Sequence, residues 1–510
     1  MTQDGRRPTR YLPLRHLQPL ALVLLACCTR AASIEDAQKE LFAARYKSAA
    51  ELYAKILESD PTQCGAYDGL VRSLIENRRS KEAYAAASEG LQKCPQSPAA
   101  QTAAGMAAYR KAELSKAEGY FRDAIKLDSG YPGALRGLAS LNAMVSRFKT
   151  ARGLLLAAYR RSPGDPDLMI AHANTLKGEE HIAALREALA ILDPESEEAR
   201  RLRAHIANDV AVGDRKLRRL TSPYAEATIK LSAIREGPSD VRGVGLRVQL
   251  NERQTVTLLL DTGASGISVS PKAASRAGLD VLGSESGEAK GIGDRAAQPS
   301  YEYLASQVRV GDVTFSNYPV AVFKSAKSQD FDGLIGADVF SLFLVKIDFP
   351  KLRLSLEPRT VDPRTLPEEP TDAPATPAAG FHRAFRFGNH LAVTTFINGG
   401  EPNLFLIDSG STYNLVDTAT AHEYSKVDRA GNLTVQGIQG RVDQTSMADR
   451  VSLVFAGFRQ ENPKLIAISL EKTSDSMGVA LGGILGWQVL GQLAVTIDYH
   501  EGTVRLEHAE

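Results

Sequence analysis

Val256-Thr257-Leu258-Leu259-Leu260-Asp261-Thr262-Gly263-Ala264-Ser265 decides how the second half of this 510-residue chain folds. The apolar run Val256 to Leu260 reads as a buried strand. It delivers a carboxylate into a Thr-Gly turn, where glycine lets the chain reverse tightly. Upstream, Leu246, Val248 and Leu250 alternate with polar residues, and Asn251-Glu252-Arg253 makes a turn. A strand, a turn and a second strand therefore hold Asp261 at the floor of a cleft. Taken alone, Asp-Thr-Gly is a tripeptide that chance supplies often.

The surroundings make it specific. Asp332-Gly333-Leu334-Ile335-Gly336 forms an apolar-apolar-Gly turn, followed by strands over Val345–Asp348 and Leu352–Leu356. The same order returns later. Leu404–Ile407 leads into Asp408-Ser409-Gly410-Ser411-Thr412, Gly483-Ile484-Leu485-Gly486 repeats the turn, and Val495–Asp498 closes the unit. Asp261 to Gly336 spans 75 positions and Asp408 to Gly486 spans 78, with 12 more to Asp348 and Asp498 respectively. A complete lobe has been duplicated within one chain.

Residues 243–358 and 382–508 resemble the retropepsin-like and pepsin-like aspartic peptidases. The resemblance implies an all-β bilobal acid-protease fold with Asp261 and Asp408 as the catalytic pair. It places flaps, glycine-tipped hairpins over the cleft, at Gly291-Ile292-Gly293 and at Gly437-Ile438-Gln439-Gly440. Neither tip carries the tyrosine of pepsin, and Tyr301 and Tyr303 come late. Thr262 and Ser409, each beside its aspartate, are expected to bond across to the opposite loop, with Gly263 and Gly410 completing the turns. The third residue differs, Ala264 against Ser411. A hydroxyl there bonds the aspartate in pepsin-like lobes, so Asp408 is expected to hold the charge and Asp261 the proton.

Two carboxyls at hydrogen-bond distance share one proton, because both cannot ionise side by side. One then serves as base toward a water while the other donates to the substrate carbonyl. The expected substrate is a peptide or protein, cleaved by an endopeptidase without cofactor. No His/Cys/Glu cluster has metal-ligand spacing, HExxH is absent, and the segment around Ser265 does not fit GxSxG. Trp487 reads as core, Asp332 and Asp338 as turn chemistry, and Asp348 and Asp498 as a duplicated structural pair. An inactive protein-binding module and a scaffold whose lobes pair between chains stand as alternatives.

The first half has a different period. Pro61, Pro95 and Pro163 fall in phase at 34 residues, with Ser129 at the missing place. Twelve residues before each stands an alanine (Ala49, Ala83, Ala117, Ala151), and four after those come Tyr53, Ala87, Phe121 and Leu155. Leu70-Val71, Ala104-Gly105 and Leu138-Ala139 hold the close-packing positions of the first helices. This resembles the tetratricopeptide (TPR) repeat, an all-α superhelix of stacked helix pairs with a concave surface suited to a protein partner or substrate. A shorter copy ends at Pro194, and a solvated capping helix is expected after it. Cys64 and Cys94 lie at adjoining ends of one helical hairpin, either bridged or as two thiols.

Before the repeats, Arg6, Arg7, Arg10 and Arg15 precede the apolar run Leu20–Ala26, the pattern of an export signal. Leu24-Leu25-Ala26-Cys27 resembles a bacterial lipobox, which implies lipidation at Cys27, a membrane anchor and an envelope or periplasmic location. Plain secretion with cleavage near Ala31 or Ala32 is the alternative. The expected divisions are a signal at 1–32, TPR repeats at 33–212, lobe 1 at 226–358, a Pro-rich solvated linker at 359–381 and lobe 2 at 382–510. The repeats, or the stretch Arg215–Arg219 between repeats and lobe, are candidates for covering the cleft. With 61 basic and 60 acidic residues, the charge balance asks for no nucleic acid.

Overall fold

The computed structural model describes residues 32–509, apart from 237–239, 290, 294–297, 325–330, 360–361, 363–369, 430–434, 438–439 and 443. Cys27 and the rest of the leader, and Ile438 in the second expected flap, lie outside the described residues.

Helical pairs come first: α1 (Ile34–Phe42) with α2 (Tyr46–Ser59), α3 (Tyr67–Glu76) with α4 (Ser80–Lys93), and α5 (Pro98–Arg110) with α6 (Leu114–Leu127). They continue through α7 (Pro132–Met144) with α8 (Phe148–Arg161), α9 (Pro166–Ala173) with α10 (Gly178–Ile191), and the single helix α11 (Glu197–Val212). Ala49, Ala83, Ala117 and Ala151 are all buried, as small residues must be where helices cross closely. A Cβ on Gly105 or on Gly137 would stand 2.5 Å or less from the Phe121 ring, so that aromatic sits where two helices offer no side chain. The turn inside each of the first four pairs holds one residue in the left-handed region, Ala44, Ala112, Arg78 and Ser146, spaced 34 apart like the alanines. Cys64 and Cys94 are joined by a disulfide.

After α11 the regular structure is mostly strand, with short helices at Pro271–Ala277, Thr418–Tyr424, Glu471–Met477 and Trp487–Leu490. The segment expected to cover the cleft does not. Arg219 and Leu220 pair with Ser316 and Phe315 at the edge of a lobe 1 sheet. There the backbone gains ladder hydrogen bonds that a free segment would have to find in water. Each lobe carries one parallel pairing that fixes its aspartate loop. Strand Gln254–Asp261 lies beside Gly333–Gly336, with Asp261 opposite Gly336, and strand Pro402–Ile407 lies beside Gly483–Leu485.

The two lobes are joined by a shared six-stranded layer. Its order is Ala227–Lys230, Arg353–Glu357, Leu344–Asp348, Leu493–Asp498, Thr503–His508 and His382–Phe387, three strands from each lobe. The central contact is antiparallel, Val345 opposite Ile497 and Asp348 opposite Ala494. One continuous apolar cluster runs through both lobes. The lobes thus pair within one chain.

The linker is not simply solvated. Asp372 accepts the amide of Thr150 at 2.9 Å and its hydroxyl at 2.6 Å, and the amides of Phe148 and Lys149 reach the Thr371 carbonyl. These are the free donors of the α8 N-terminus, and a carboxylate there is favoured by the helix dipole. The final helix likewise does more than cap. Ala199, Leu202 and Ile206 bury one face of α11, while Asn208 donates to Glu302 of lobe 1 at 2.6 Å.

Candidate active site

Asp261 and Asp408 face each other from opposite lobes and share a side-chain hydrogen bond. Asp261 is buried, and Asp408 is partly open at the cleft floor. The glycines make this approach possible. A Cβ on Gly263 would stand 2.4 Å from the Asp408 carboxyl carbon, and one on Gly410 would stand 2.5 Å from that of Asp261.

A reciprocal hydroxyl lock fixes the two loops. Thr262 Oγ1 accepts the Ser409 amide at 2.9 Å and donates to the Ile407 carbonyl at 2.9 Å. Ser409 Oγ accepts the Thr262 amide at 3.1 Å and donates to the Leu260 carbonyl at 3.0 Å. Both side chains are buried, so each donor and acceptor is satisfied by the other lobe.

The carboxyls differ in their surroundings. Asp261 Oδ1 accepts the Gly263 amide at 2.8 Å. Asp408 Oδ1 accepts two amides, Gly410 and Ser411, each at 3.0 Å. Burial and then the neighbouring Asp408 charge push Asp261 well above the ordinary carboxyl range. Burial raises Asp408 too, opposed by the hydrogen bond from Asp261 and by the Ser411 and Gly410 amides. The Ser411 hydroxyl does not take the expected part, since it donates to the Tyr413 carbonyl at 2.9 Å. Its backbone amide supports the carboxylate instead, because the turn aims main-chain N–H groups, rather than the side chain, at Asp408.

Behind the loops stand residues that sequence reasoning read only as turn chemistry. The Asp338 carboxylate accepts the Gly266 amide at 2.8 Å and the Asn389 side-chain amide of lobe 2 at 2.7 Å. It therefore braces the Asp261 loop from both lobes. In lobe 2 the matching position, two after the turn glycine, is the uncharged Gln488, whose Oε1 accepts the Asn414 amide at 3.4 Å, while Asn414 Oδ1 accepts the Gly486 amide at 2.8 Å. Asp348 and Asp498 accept the turn amides of Lys351 and of His500 and Glu501. Trp487 meets Phe349 edge-on at 5.3 Å.

Among the expected flap residues, Gly291 and Ile292 lie in the loop after strand Asp280–Ala289, and Gly437 and Gly440 pair in a two-residue ribbon. The two sets touch, since a Cβ on Gly437 would stand 2.4 Å from the Ile292 carbonyl oxygen. Ile292 packs against an apolar cluster that includes Val435 and Val442, as do Tyr109 and Ala112 of the helical array.

Of the two candidates for covering the cleft, it is the array that lies over it. A cavity of about 2230 Å³ has Asp261, Asp408, Gly291 and Gly437 on one side and Tyr46, Arg72, Met106, Tyr109 and Arg136 of the helices on the other. That is larger than the few hundred to about 1,000 Å³ typical of a small-ligand pocket. Lobe 2 is held to the array by Arg110, which donates to the Ser474 carbonyl at 2.9 Å and pairs with Asp475. The amide of Ala480 returns to the Arg110 carbonyl at 2.8 Å.

A family described as Aspartyl protease matches residues 246–339 and 393–489. Anaphase-promoting complex subunit 7 of Arabidopsis thaliana is 27% identical over 166 residues, which is 32% of this chain and 29% of that protein. The chain thus spans under a third of that relative's length. The crystal structure of the APC/C hetero-tetramer Cut9-Hcn1 matches over 34% of this chain and 40% of that one, at 18% identity and a TM-score of 0.27. The C-terminal region is all-β, with one segment of each lobe matching the aspartyl protease family, and the region before it is an all-helical, repeat-built array that resembles TPR-like proteins.

Proposed function

We propose that the chain is an aspartic endopeptidase in which Asp261 and Asp408 share one proton and activate a water for peptide hydrolysis. The observation that carries this reading is the hydrogen-bonded carboxyl pair on the floor of a cavity large enough for a peptide segment. Asp408, with two amide donors on one oxygen, is the better place for the negative charge, and Asp261 for the proton. The pair titrates as a unit, so this describes the favoured arrangement of one shared proton. A water between them gives its proton to the charged carboxylate as its oxygen attacks the carbonyl carbon. The protonated partner donates to the carbonyl oxygen, and the amine then leaves with a proton from the dyad.

The helical array acts in this proposal as a roof that selects substrate. A folded protein is too bulky for the enclosed space, whereas an extended segment fits beneath the helices. Export, with lipidation at Cys27 or plain secretion, belongs to the same proposal, and the Cys64–Cys94 disulfide supports an oxidising compartment.

Hydrolysis of a mixed peptide library between about pH 3 and 7 by wild type, Asp261→Asn and Asp408→Asn tests the reading. Turnover abolished in either variant and blocked by a pepstatin-type inhibitor is the expected result. A folded wild-type chain that cleaves nothing across that range would remove the peptidase and leave a binding module.

A further inference from the structure

At the end of the helical array, three side chains from two helices converge away from the dyad. His181 stands on α10, and His205 and Asp209 stand four apart on α11, so the latter two share one face. The ligand-capable atoms of the three all lie within 4.8 Å of one another.

The geometry of His181 assigns its nitrogens. Nδ1 lies 2.8 Å from the Ala173 carbonyl oxygen, which can only accept, so Nδ1 carries hydrogen. The other nitrogen, Nε2, faces Asp209 Oδ2 at 3.2 Å. A neutral ring in that tautomer would point a lone pair at a carboxylate. His205 Nε2 approaches the same oxygen at 3.4 Å from the other side. Two ring nitrogens and one carboxylate oxygen thus converge on a space that a cation between the groups would fill.

The distances suit a cation. Tetrahedral zinc with bonds of about 2.0–2.1 Å sets neighbouring ligand atoms about 3.3–3.4 Å apart, close to both nitrogen–oxygen separations. An imidazole whose far N–H is held by a backbone carbonyl is also the usual way a metal-bound histidine is oriented. His205 is half exposed, which leaves an entry route from solvent.

We propose that His181, His205 and Asp209 bind one divalent transition-metal ion of the zinc type, with water completing its shell. The linear sequence hides this set because His181 lies on a different helix from the other two. The ion clasps α10 to α11, and α11 lies against the first flap's strand, where a Cβ on Gly283 would stand 2.5 Å from Asn208 Oδ1. Its role is to steady that flap from behind and to leave the chemistry to the dyad.

The test uses the full chain, stripped with a chelator and titrated with Zn²⁺ by calorimetry and with Co²⁺ by visible absorption. One equivalent should bind, the cobalt bands should be those of a low-coordinate ion, and affinity should fall about tenfold or more in His205→Ala and Asp209→Asn. Circular dichroism checks each fold, and the half-exposed His205 variant remains decisive if the Asp209 variant does not fold. No saturable equivalent, or binding that neither substitution weakens, overturns the proposal and leaves a histidine–carboxylate hydrogen-bond cluster.

Discussion

Thr262 and Ser409 each hold the other's amide: Thr262 Oγ1 accepts from Ser409 N at 2.9 Å, and Ser409 Oγ accepts from Thr262 N at 3.1 Å. Each hydroxyl also donates to a carbonyl of the opposite lobe. Thr262→Ala therefore strands the Ser409 amide and the Ile407 carbonyl in a dry interface. A loss of about 2–4 kcal/mol is expected, from about 1–3 kcal/mol per unsatisfied buried group. Denaturant unfolding followed by a probe in the lobes measures it, and turnover should fall because the carboxyls lose their register.

Replacing either aspartate by asparagine keeps the shape of the site and removes its proton chemistry. Asp261→Asn and Asp408→Asn should each lower peptide hydrolysis by about 10²–10⁴-fold or more. Equal far-ultraviolet circular dichroism in all three proteins would assign the loss to chemistry.

Gly263→Ala and Gly410→Ala should be as damaging by a different route. The new methyl would meet the opposing carboxyl carbon at 2.4 and 2.5 Å respectively. The loops must part, so peptide hydrolysis should vanish while far-ultraviolet circular dichroism stays close to that of the wild type.

Stability should depend on pH through the dyad. Both carboxyls are raised above the ordinary value of 3.8, Asp261 the more. Above 3.8 the unfolded chain has released protons that the folded site still holds, so stability falls as pH rises through the window up to the raised values. Thermal midpoints measured across that window should fall less steeply in Asp261→Asn. For the same reason, the alkaline limb of the activity profile should lie above 3.8.

Arg110→Ala should detach the roof. The substitution leaves Asp475 and the Ser474 carbonyl without their partner at a mostly buried contact. A cost of about 3–5 kcal/mol is expected where one half of a buried pair is removed. Faster limited proteolysis between array and lobe 2, with faster cleavage of bulky substrates, would report it.

The sequence spoke clearly where a physical constraint maps onto a fixed spacing. Asp261 and Asp408, with their glycine turns 75 and 78 residues on, were legible because a buried strand and a tight turn leave little choice of residue. The in-phase alanines were legible for the same reason. The left-handed turns at Ala44, Arg78, Ala112 and Ser146 were not, because none of these is a residue that favours such a conformation. The roof stood among the candidates, but what holds it in place was illegible. It rests on Arg110 meeting Asp475, 365 positions away, and nothing in either residue's local pattern names the other. The Ser411 hydroxyl misled because composition reveals a donor but not its direction.

The six-stranded layer between the lobes has one more consequence. Because three of its strands come from each half of a single polypeptide, bringing the aspartates together is a first-order event. Dilution does not disarm the site, and its assembly cannot be governed by how much of the protein the cell makes. Nor does symmetry bind its evolution: Ala264 and Ser411, or Asp338 and Gln488, can diverge one codon at a time, a freedom denied to any enzyme that builds the same cleft from two identical subunits.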